Sequence, residues 1–417
     1  MPMVKRIIRA LLPSKLYAFL LLPYHFCITL LSACYYRFPA QQLTIILVTG
    51  TKGKSTVSSM ISSILTTGGI SHALSNTVHF KINDIIEKNL FKMTVPGKGF
   101  LQKFLRKAVN AGCTHAVIEM SSEATLNFRH LFLAPNIVVV TNLQPEHLER
   151  HGGMENYFRA KFAIVHELEI STKRERHLFV GTDDEYGTRF LKARVPHKHG
   201  YSVGDVHISE LTHTRSTFIY DTEEYTVALP GEVSVKNALA TIHVGLALQV
   251  SIEAIKRGLL NLKIPGRFER VEAGQDFDVI IDYAHTPDSL KALYAAYPAR
   301  KICVLGNTGG GRDSWKRPSM GKIADEHCDV VILTNEDPYD EDPRKIIDAM
   351  TSEMKRTPHI IMDRREAIRE AVRTARASDA VLISGKGTDP YIMGPNDTKV
   401  PWSDAEVAEE ELKKMLS

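Results

Sequence analysis

A glycine-rich loop between a strand and a helix constrains this chain more than any other segment. Residues 43–50, LTIILVTG, predict a buried strand, residues 55–65 predict a helix, and TGTKGKST joins the two. In this context Lys54 would reach the β- and γ-phosphates of a nucleotide and the Ser55 hydroxyl would ligate Mg²⁺. The usual eight-position loop would have glycine where Leu47 or Val48 stands, so this is a shortened variant. It predicts a phosphate site made of Gly50, Thr51, Lys52, Gly53, Lys54, Ser55 and Thr56.

The rest of the pattern predicts an α/β chain with two folded domains. Apolar runs at 115–120, 136–143 and 177–181 extend a mostly parallel sheet of the P-loop ATPase type. Residues 207–231 predict an antiparallel meander at the edge of that domain, and 231–262 predict two helices. Apolar runs at 277–284, 301–307, 329–336, 359–362 and 380–387 predict a smaller Rossmann-like domain, which ends in a surface helix near 404–416. The predicted domains are 43–263 and 264–417, after an apolar helical segment at 1–42.

The apolar segment leaves three interpretations open. Residues 16–36 carry no Asp, Glu, Lys or Arg and follow Lys5, Arg6, Arg9 and Lys15. They fit a helix or hairpin on the inner membrane face, a packed helix that covers the next domain, or a signal or anchor. Contact with the inner membrane surface would then run through residues 1–38.

Composition excludes several other classes. Hydrophobic residues make up 44% of the 417, so a disordered or fibrous chain is excluded, and a net charge of +4 does not indicate nucleic acid. The cysteines at 27, 34, 113, 303 and 328 form no CxxC pair. This odd set predicts reduced thiols in a cytoplasmic protein and neither a disulfide framework nor a zinc ribbon.

The shortened loop resembles the ATP loop of the Mur ligase family, the ATP-dependent amide-forming ligases of peptidoglycan assembly and folate polyglutamylation. Other family motifs follow in order to near the end of the chain. The resemblance implies ATP and Mg²⁺ as cofactors, and a muramoyl-peptide acceptor and an amino acid as substrates. It also implies an acyl-phosphate intermediate and a monomeric cytoplasmic enzyme, with no nucleic-acid partner.

The resemblance also implies a metal site. Glu119 ends a strand, where ligands bind in such sheets, and it matches a family glutamate that holds Mg²⁺. His147 lies in TNLQPEHLERHG, which is similar to a family segment associated with a second metal. Lys161 matches a lysine that CO₂ carbamylates, although composition alone predicts an ordinary helix lysine facing solvent. The implied metal ligands are Ser55, Glu119, His147 and carbamylated Lys161.

Further motifs imply substrate contacts in both domains. The acceptor is expected at Thr94, Val95, Pro96 and Ser121. The nucleotide is expected at Asn237, Arg267, Asp282 and His285. Arg312 and Lys316 lie on glycine turns that suit a phosphoryl group grasped on domain closure. With Lys54, His147 and Lys161 they complete the expected reaction site.

The expected amino-acid site departs from the family pattern. Glu336, Asp337, Pro338 and Tyr339 match the Asp-Asn-Pro-Arg motif of members that add diaminopimelate as the third residue. Tyrosine cannot make the bidentate pair of that arginine with a carboxylate, so lysine, ornithine or another amine is open. Gly385, Lys386 and Gly387 are followed by Thr388 and Asp389 where the family has His-Glu.

Two rival functions stay open. One is a folylpolyglutamate-type or other amide ligase on a non-UDP or lipid-linked acceptor. The other, of a different class, is a non-catalytic scaffold that binds nucleotide at a membrane. The 49 residues before Gly50 are shorter than the uridine-binding domain of the family, which has roughly 100, so the acceptor is hypothesised to be lipid-linked or to lack UDP.

Overall fold

The computed structural model describes residues 14–97, 99–146, 151–311 and 313–417. These form two compact units. The first is the chain up to Val206 together with Lys236–Leu259, and the second is His207–Val235 together with Leu260–Ser417. Each unit contains a mostly parallel sheet, so the predicted α/β class is confirmed. The boundaries at 42/43 and 263/264 stay predictions.

The first unit follows a strand–helix alternation. Its elements are α1 Ser14–Tyr35, β1 Thr44–Thr49, α2 Lys54–Thr67, β2 His72–Ser75, β3 His79–Ile82, β4 Ile85–Lys88, α3 Phe100–Asn110, β5 His115–Glu119, α4 Ser122–Leu126, β6 Ile137–Val140, α5 Met154–Glu169, β7 His177–Gly181, α6 Gly187–Phe190 and β8 His197–Tyr201. Two later helices, α7 Glu232–Ala247 and α8 Ile252–Leu260, lie mostly in it.

The eight strands of the first unit form one sheet in the order β4-β3-β2-β5-β1-β6-β7-β8. Along the sheet from β2 to β8 all neighbouring strands are parallel, whereas the pairs β2–β3 and β3–β4 are antiparallel. Strand β1 lies between β5 and β6, and its Ile45–Val48 side chains are fully buried, as expected for a strand covered on both faces. The carboxyl ends of β1, β5 and β6 therefore lie side by side, which places the three segments of the candidate site together.

The second unit contains a six-stranded sheet and two small ones. Its elements are β9 His207–Leu211, β10 Ser216–Tyr220, β11 Glu223–Val227, β12 Glu269–Arg270, β13 Asp278–Asp282, α9 Pro287–Ala295, β14 Lys301–Leu305, α10 Arg317–His327, β15 Val330–Leu333, α11 Pro343–Thr351, β16 His359–Ile360, α12 Arg364–Thr374, β17 Ala380–Ser384, β18 Tyr391–Met393, β19 Lys399–Pro401 and α13 Asp404–Leu416. The large sheet has the order β12-β13-β17-β14-β15-β16 and is parallel except at β12.

Two sequence-based expectations are wrong. The meander is antiparallel as predicted, but β9–β11 form a separate sheet that belongs to the second unit, not to the edge of the first. The expectation of five reduced thiols fails because Cys303 and Cys328 are bonded. Cys303 lies within β14, and Cys328 follows α10 just before the neighbouring strand β15, so the parallel pairing brings the two side chains together in the core.

The apolar N-terminal segment contains a helix, α1, with Pro23 inside it. Part of α1 packs on the first unit: Ala33 is fully buried, and Arg106 of α3 donates to the carbonyl of Tyr36. Across residues 14–97, 99–146, 151–311 and 313–417, none of the helices is both long enough and apolar enough to span a bilayer. The side of α1 that faces the first unit fits the interpretation of a packed helix. The opposite side of α1 carries exposed apolar side chains.

Candidate active site

The predicted glycine loop forms the turn between β1 and α2. Gly50 has φ of 145°, and a Cβ there would collide with the side chain of Thr141. Gly53 has φ of 82°, and a Cβ there would lie 2.6 Å from Oδ1 of Asn237. Both positions therefore require glycine. No side chain caps α2 at Gly53, so the N–H groups of its first turn are available to an anion, as in other phosphate sites.

Residues that follow β6 hold this loop in shape. Asn142 accepts the Lys52 N–H at 2.9 Å and donates to the Lys52 carbonyl at 3.0 Å. The Thr141 hydroxyl donates to the same carbonyl at 2.6 Å. Sequence analysis assigned neither residue a role, although their position directly after a strand at the same sheet edge was a usable signal.

Lys54 and Ser55 take the positions that the loop predicts. The Lys54 ammonium donates to the Thr51 carbonyl at 2.7 Å, and the Ser55 hydroxyl donates to Oε2 of Glu119 at 2.9 Å. Glu119 ends β5 and is 1% exposed, so its carboxylate depends on such partners. A hydroxyl and a carboxylate at the start of a phosphate-binding helix are oxygen donors that Mg²⁺ prefers.

Thr77, which the sequence analysis missed, links Glu119 to the expected acceptor loop. Its N–H and hydroxyl donate to the two carboxylate oxygens of Glu119 at 2.9 and 3.0 Å. The same hydroxyl lies 2.9 Å from that of Thr94. Thr94 is therefore linked through Thr77 to Glu119, and its contact with the acceptor stays a prediction.

Lys161 lies inside the site and not on the surface. It is 1% exposed, and its Nζ donates to the Gly50 carbonyl at 2.6 Å and lies 4.8 Å from the ring centre of Tyr157. The prediction of a solvent-facing lysine from composition alone is therefore wrong, because α5 turns this position toward β1. Burial, reinforced by the charge of Lys54, holds the pKa of Lys161 well below its ordinary value.

The remaining residues expected at the acceptor also belong to the first unit. Val95 is buried, and its carbonyl accepts from Nη1 of Arg129 at 2.5 Å. Pro96 follows it and is buried. Ser121 caps α4 and accepts from the Ala124 N–H at 3.3 Å. Asn237, expected near a nucleotide, lies against Gly53 of the phosphate loop.

Not every implied metal ligand can be placed. His147 lies outside the described residues, and so does Arg312. In the part of the chain that the structure describes, no three His, Cys, Asp or Glu side chains lie close enough together to hold a metal ion. The described ligand set is thus the Ser55–Glu119 pair, which fits Mg²⁺ that completes its shell with phosphate oxygens and water.

In the second unit, the residues expected to contact the nucleotide lie around Tyr283. The Arg267 guanidinium lies 4.5 Å from the ring centre of Tyr283, and the His285 ring lies 4.6 Å from it. Asp282 accepts from the N–H groups of Phe268 and Ala284 at 2.9 and 2.7 Å, and burial raises its pKa. Asp282 thus joins the 264–268 segment to the end of β13.

A second cluster of the same unit contains the residues expected to bind the amino acid. Lys386 donates to Oδ1 of Asp337 at 2.9 Å and lies 3.6 Å from Oδ2 of Asp389. Glu336 is 4% exposed; one of its oxygens accepts from Thr308 at 2.7 Å, and Oε2 has no hydrogen-bond partner among the described residues. The charges of Asp389, Glu336 and Asp337, together with burial, raise the pKa of Tyr283.

Glycines allow this second cluster to close tightly. A Cβ on Gly385 would meet Oε2 of Glu336, and one on Gly387 would lie 2.8 Å from Cβ of Tyr283. Pro338 precedes Tyr339, whose N–H donates to the Met393 carbonyl at 3.2 Å. The predicted residues 336–339 and 385–389 are therefore brought together.

Lys316 is buried, at 7% exposure, in the 3₁₀ turn Ser314–Lys316. Its neighbour Arg317, which had no assigned role, makes a bidentate pair with Glu341 at 2.6 and 2.9 Å.

Comparison with known proteins identifies the family of this chain. Residues 48–245 match the Mur ligase middle domain, and residues 266–387 match the Mur ligase glutamate ligase domain. The chain belongs to the Mur ligase family. As a Mur ligase it is an ATP-dependent enzyme that joins an acid to an amino group, and it uses ATP and Mg²⁺.

Relatives support this assignment over most of the chain. A UDP-N-acetylmuramoyl-L-alanyl-D-glutamate–2,6-diaminopimelate ligase of Trichormus variabilis is 38% identical over 402 residues, which cover 91% of this chain and 79% of the relative. The ligase of the same name from Caldanaerobacter subterraneus is 34% identical and is covered to the same 79%.

Solved structures agree at the level of fold. A structure of a ligase with that name is 28% identical with a TM-score of 0.63, covering 90% of this chain and 79% of the other. A folylpolyglutamate synthase from Mycobacterium tuberculosis has a TM-score of 0.69 at 15% identity, covering 87% of this chain and 93% of the other. The second likeness shows the shared fold alone.

Proposed function

We propose that this Mur ligase adds an amino acid to the carboxylate of a muramoyl peptide during peptidoglycan precursor synthesis. The observation that carries the proposal is the first-unit site, where the phosphate loop, Glu119 and Thr94 form one hydrogen-bonded network. The relatives named for the diaminopimelate-adding step support the acceptor class. Similarity to these ligases over 91% and 90% of this chain and 79% of each relative also favours a working enzyme over a nucleotide-binding scaffold.

In the proposed reaction a carboxylate oxygen of the acceptor attacks the γ-phosphorus of ATP, and ADP leaves. The amine of the incoming amino acid then attacks the acyl carbon of the acyl phosphate, and phosphate leaves with formation of the amide. Lys54 and the N–H groups at the start of α2 bind and orient the transferring phosphoryl group. Mg²⁺ bound by Ser55 and Glu119 would offset the negative charge on that group.

Other residues contribute positioning. Thr77 and Thr94 place the acceptor loop against Glu119, so the acceptor carboxylate can be presented next to the phosphoryl group. Arg267, Asp282 and His285 are proposed to contact the nucleotide, together with Asn237. Arg312 and Lys316 are proposed to bind the phosphoryl group, and His147 a second metal.

We propose that Lys161 is carbamylated in the active enzyme. The reaction adds CO₂ to the neutral amine, forms an N–C bond and releases one proton. Its support is geometric: two lysines, Lys54 and Lys161, are held at the carbonyls of one short loop, and conversion of one of them into an anion offsets the other. The product carboxylate would join Ser55 and Glu119 as an oxygen donor. Incubation in ¹³C-bicarbonate should give a carbamate signal by NMR that Lys161→Arg lacks; the same signal in both proteins would refute the assignment.

We propose that the added amino acid ends in an amine and not in a second carboxylate. Tyr339 stands where diaminopimelate-adding members have arginine, and a phenol cannot form the bidentate pair with a carboxylate. Oε2 of Glu336, which has no partner in the described chain, favours a cationic group nearby.

We further propose that the enzyme is a cytoplasmic monomer that contacts the inner membrane surface through residues 1–38. The outward side of α1 supports this contact, since its large exposed side chains, such as Leu31 and Tyr35, are uncharged.

The test is ADP release with Mg-ATP, bicarbonate, a muramoyl dipeptide acceptor and a panel of amino acids. We expect turnover that requires both acceptor and amino acid, with lysine or ornithine preferred to diaminopimelate. The preference should move toward diaminopimelate in Tyr339→Arg. ATP binding without turnover on any acceptor would overturn the ligase proposal and favour the scaffold, and a wild-type preference for diaminopimelate would overturn the amine assignment alone.

A further inference from the structure

The outward side of α1 is an apolar surface that the first unit does not cover. Leu31 and Tyr35, one helical turn apart, are 66% and 80% exposed. No charged residue occurs between Lys15 and Arg37, so the helix is apolar on all sides. Such a helix is stable in water only when its second side also meets an apolar environment.

The inward side of α1 fixes this surface to the first unit. The ring of Phe26 lies 6.1 Å from the rings of both Phe128 and Phe132. Ser32 lies directly against Gly99, where a Cβ would collide with it. Gly99 precedes α3, so α1 is anchored beside the segment that carries Thr94.

That segment exposes three more large apolar side chains. Leu90, Phe91 and Met93 are 52%, 54% and 43% exposed, although the backbone around them is held by Asn89, whose side chain donates to the Asn76 and Met93 carbonyls. The Phe91 ring packs 5.5 Å from that of Phe100, which follows Gly99. A chain of contacts therefore runs from α1 through Gly99 and Phe100 to Phe91.

The exposed loop leads directly into the reaction site. Thr94 follows Met93 and contacts Thr77, which donates to Glu119. Val95 is tied to Arg129, whose neighbour Phe128 contacts α1. One short segment, residues 90–95, thus has an apolar exposed half and a half inside the site.

The part of this surface formed by α1 and α3 has a basic border, whereas the exposed Asp84 and Glu87 precede Leu90. The chain has no Asp or Glu before Asp84, although its overall charge is only +4. Arg37 ends the α1 region, and α3 carries the exposed basic residues Lys103 and Lys107. A basic border beside an apolar face is complementary to a bilayer with anionic headgroups.

We propose that the outward side of α1 and the side chains of Leu90, Phe91 and Met93 form one docking surface for an anionic bilayer. We infer that the site takes a muramoyl-peptide acceptor attached to a membrane lipid. The docked surface holds Thr94 and its neighbours at the bilayer, where the headgroup of such a lipid enters the site while its chain stays in the membrane. This inference rests on the proposed ligase function.

The first experiment is flotation of the full chain with vesicles of phosphatidylglycerol and phosphatidylcholine. The wild type should float with the vesicles, less so at high salt or without the anionic lipid. Leu90→Ser/Phe91→Ser and, separately, Leu31→Ser/Tyr35→Ser should each reduce binding at least about tenfold, since each removes two apolar anchors. The matched control Ile170→Ser/Leu260→Ser, at sites that are 59% and 52% exposed, should bind like the wild type.

Several results would overturn the docking surface. Wild-type protein that stays unbound would do so, and so would either surface variant binding as well as the control. A wild type that is dimeric in solution and becomes monomeric in the α1 variant would show that a second copy covers the face. Thermal unfolding of each variant checks that loss of binding is not loss of fold.

The second experiment separates this inference from the proposed function. ADP release is measured with one peptide carried either on a lipid in vesicles or on a water-soluble group. We expect the surface variants to lose at least about fivefold with the lipid-linked acceptor and to keep wild-type turnover with the soluble one. Equal turnover of all variants with the lipid-linked acceptor overturns the inference and leaves the ligase intact. No turnover with either acceptor overturns the proposed function, whatever the flotation result.

Discussion

The two sites of this protein use their cations differently. In the first unit, Lys54 and Lys161 donate to backbone carbonyls of the phosphate loop. In the second unit, Lys386 and Arg364 are bonded to the carboxylates of Asp337 and Asp404. The first arrangement leaves the positive charge of Lys54 for an anionic ligand, and the second neutralises its charge within the fold. Substitutions in the first site should therefore remove activity, and substitutions of the paired cations in the second should remove stability.

The largest effect is expected at Lys54. Lys54→Met removes the cation beside the transferring phosphoryl group, and turnover should fall by about 10³-fold. The melting temperature should stay within about 2 °C, because the side chain is only half-buried and its hydrogen bond to the Thr51 carbonyl contributes little. ADP release and thermal unfolding measure the two effects, with the exposed Lys107→Met as control. A large drop in stability would contradict the proposed separation of roles.

The second effect is expected at Arg364, which is 3% exposed and bonds both oxygens of Asp404 at 2.8 and 2.7 Å. Arg364→Met leaves the buried carboxylate without its cation and should lower the free energy of unfolding by about 3–5 kcal/mol. The exposed pair between Arg344 and Asp348 provides the control, because Arg344→Met should cost about 0.5 kcal/mol. Urea unfolding measures both; similar costs would contradict the account.

Glu167 of α5 extends the comparison to a buried carboxyl group of the first unit that has no proposed role in ligand binding. Burial raises its pKa from 4.5 to about 7, so ionisation is unfavourable in the folded state. The native state then binds more protons than the unfolded state, and stability should fall by about 3 kcal/mol as pH rises from 4.5 through 7. Glu167→Gln should remove this loss and be more stable at pH 8. Equal slopes of stability against pH in both proteins would contradict the assignment.

The smallest effect is expected at Thr77. Thr77→Val removes one hydrogen bond to Glu119 and the contact with Thr94, and should lower turnover by about tenfold, or about 1.4 kcal/mol. Thr77→Ser keeps the hydroxyl and should retain most activity. If the valine variant matches the wild type, the link between the acceptor loop and Glu119 has no role in turnover.

Sequence was most informative where function depends on contiguous residues. The phosphate loop and Glu119 could be predicted because glycines, a lysine and a strand end carry the signal locally. Thr77 was missed because only the sheet order shows that β2 lies next to β5, the strand that ends in Glu119, whereas Asn142 was missed although it directly follows a predicted strand. Composition alone predicted that Lys161 faces solvent, because a lysine on a helix is usually exposed. The structure shows that it is buried.

The strands β2, β3, β4 and β8 were not predicted either, since HALS, HFKI, IIEK and HKHGY lack the apolar runs that mark buried strands. The bond between Cys303 and Cys328 likewise depends on strand pairing across 25 residues, which cysteine spacing does not show. Local chemistry could thus be read from the chain, whereas contacts between distant segments required the fold.

The most direct test of the ligase account is an oxygen-transfer experiment. The acceptor carboxylate is labelled with ¹⁸O and incubated with Mg-ATP and the preferred amino acid, and the released phosphate is examined by mass spectrometry. The account predicts one ¹⁸O in each phosphate, because the carboxylate oxygen that attacks the γ-phosphorus leaves with it. Unlabelled phosphate, released at the same rate with or without the acceptor, would contradict amide formation through an acyl phosphate.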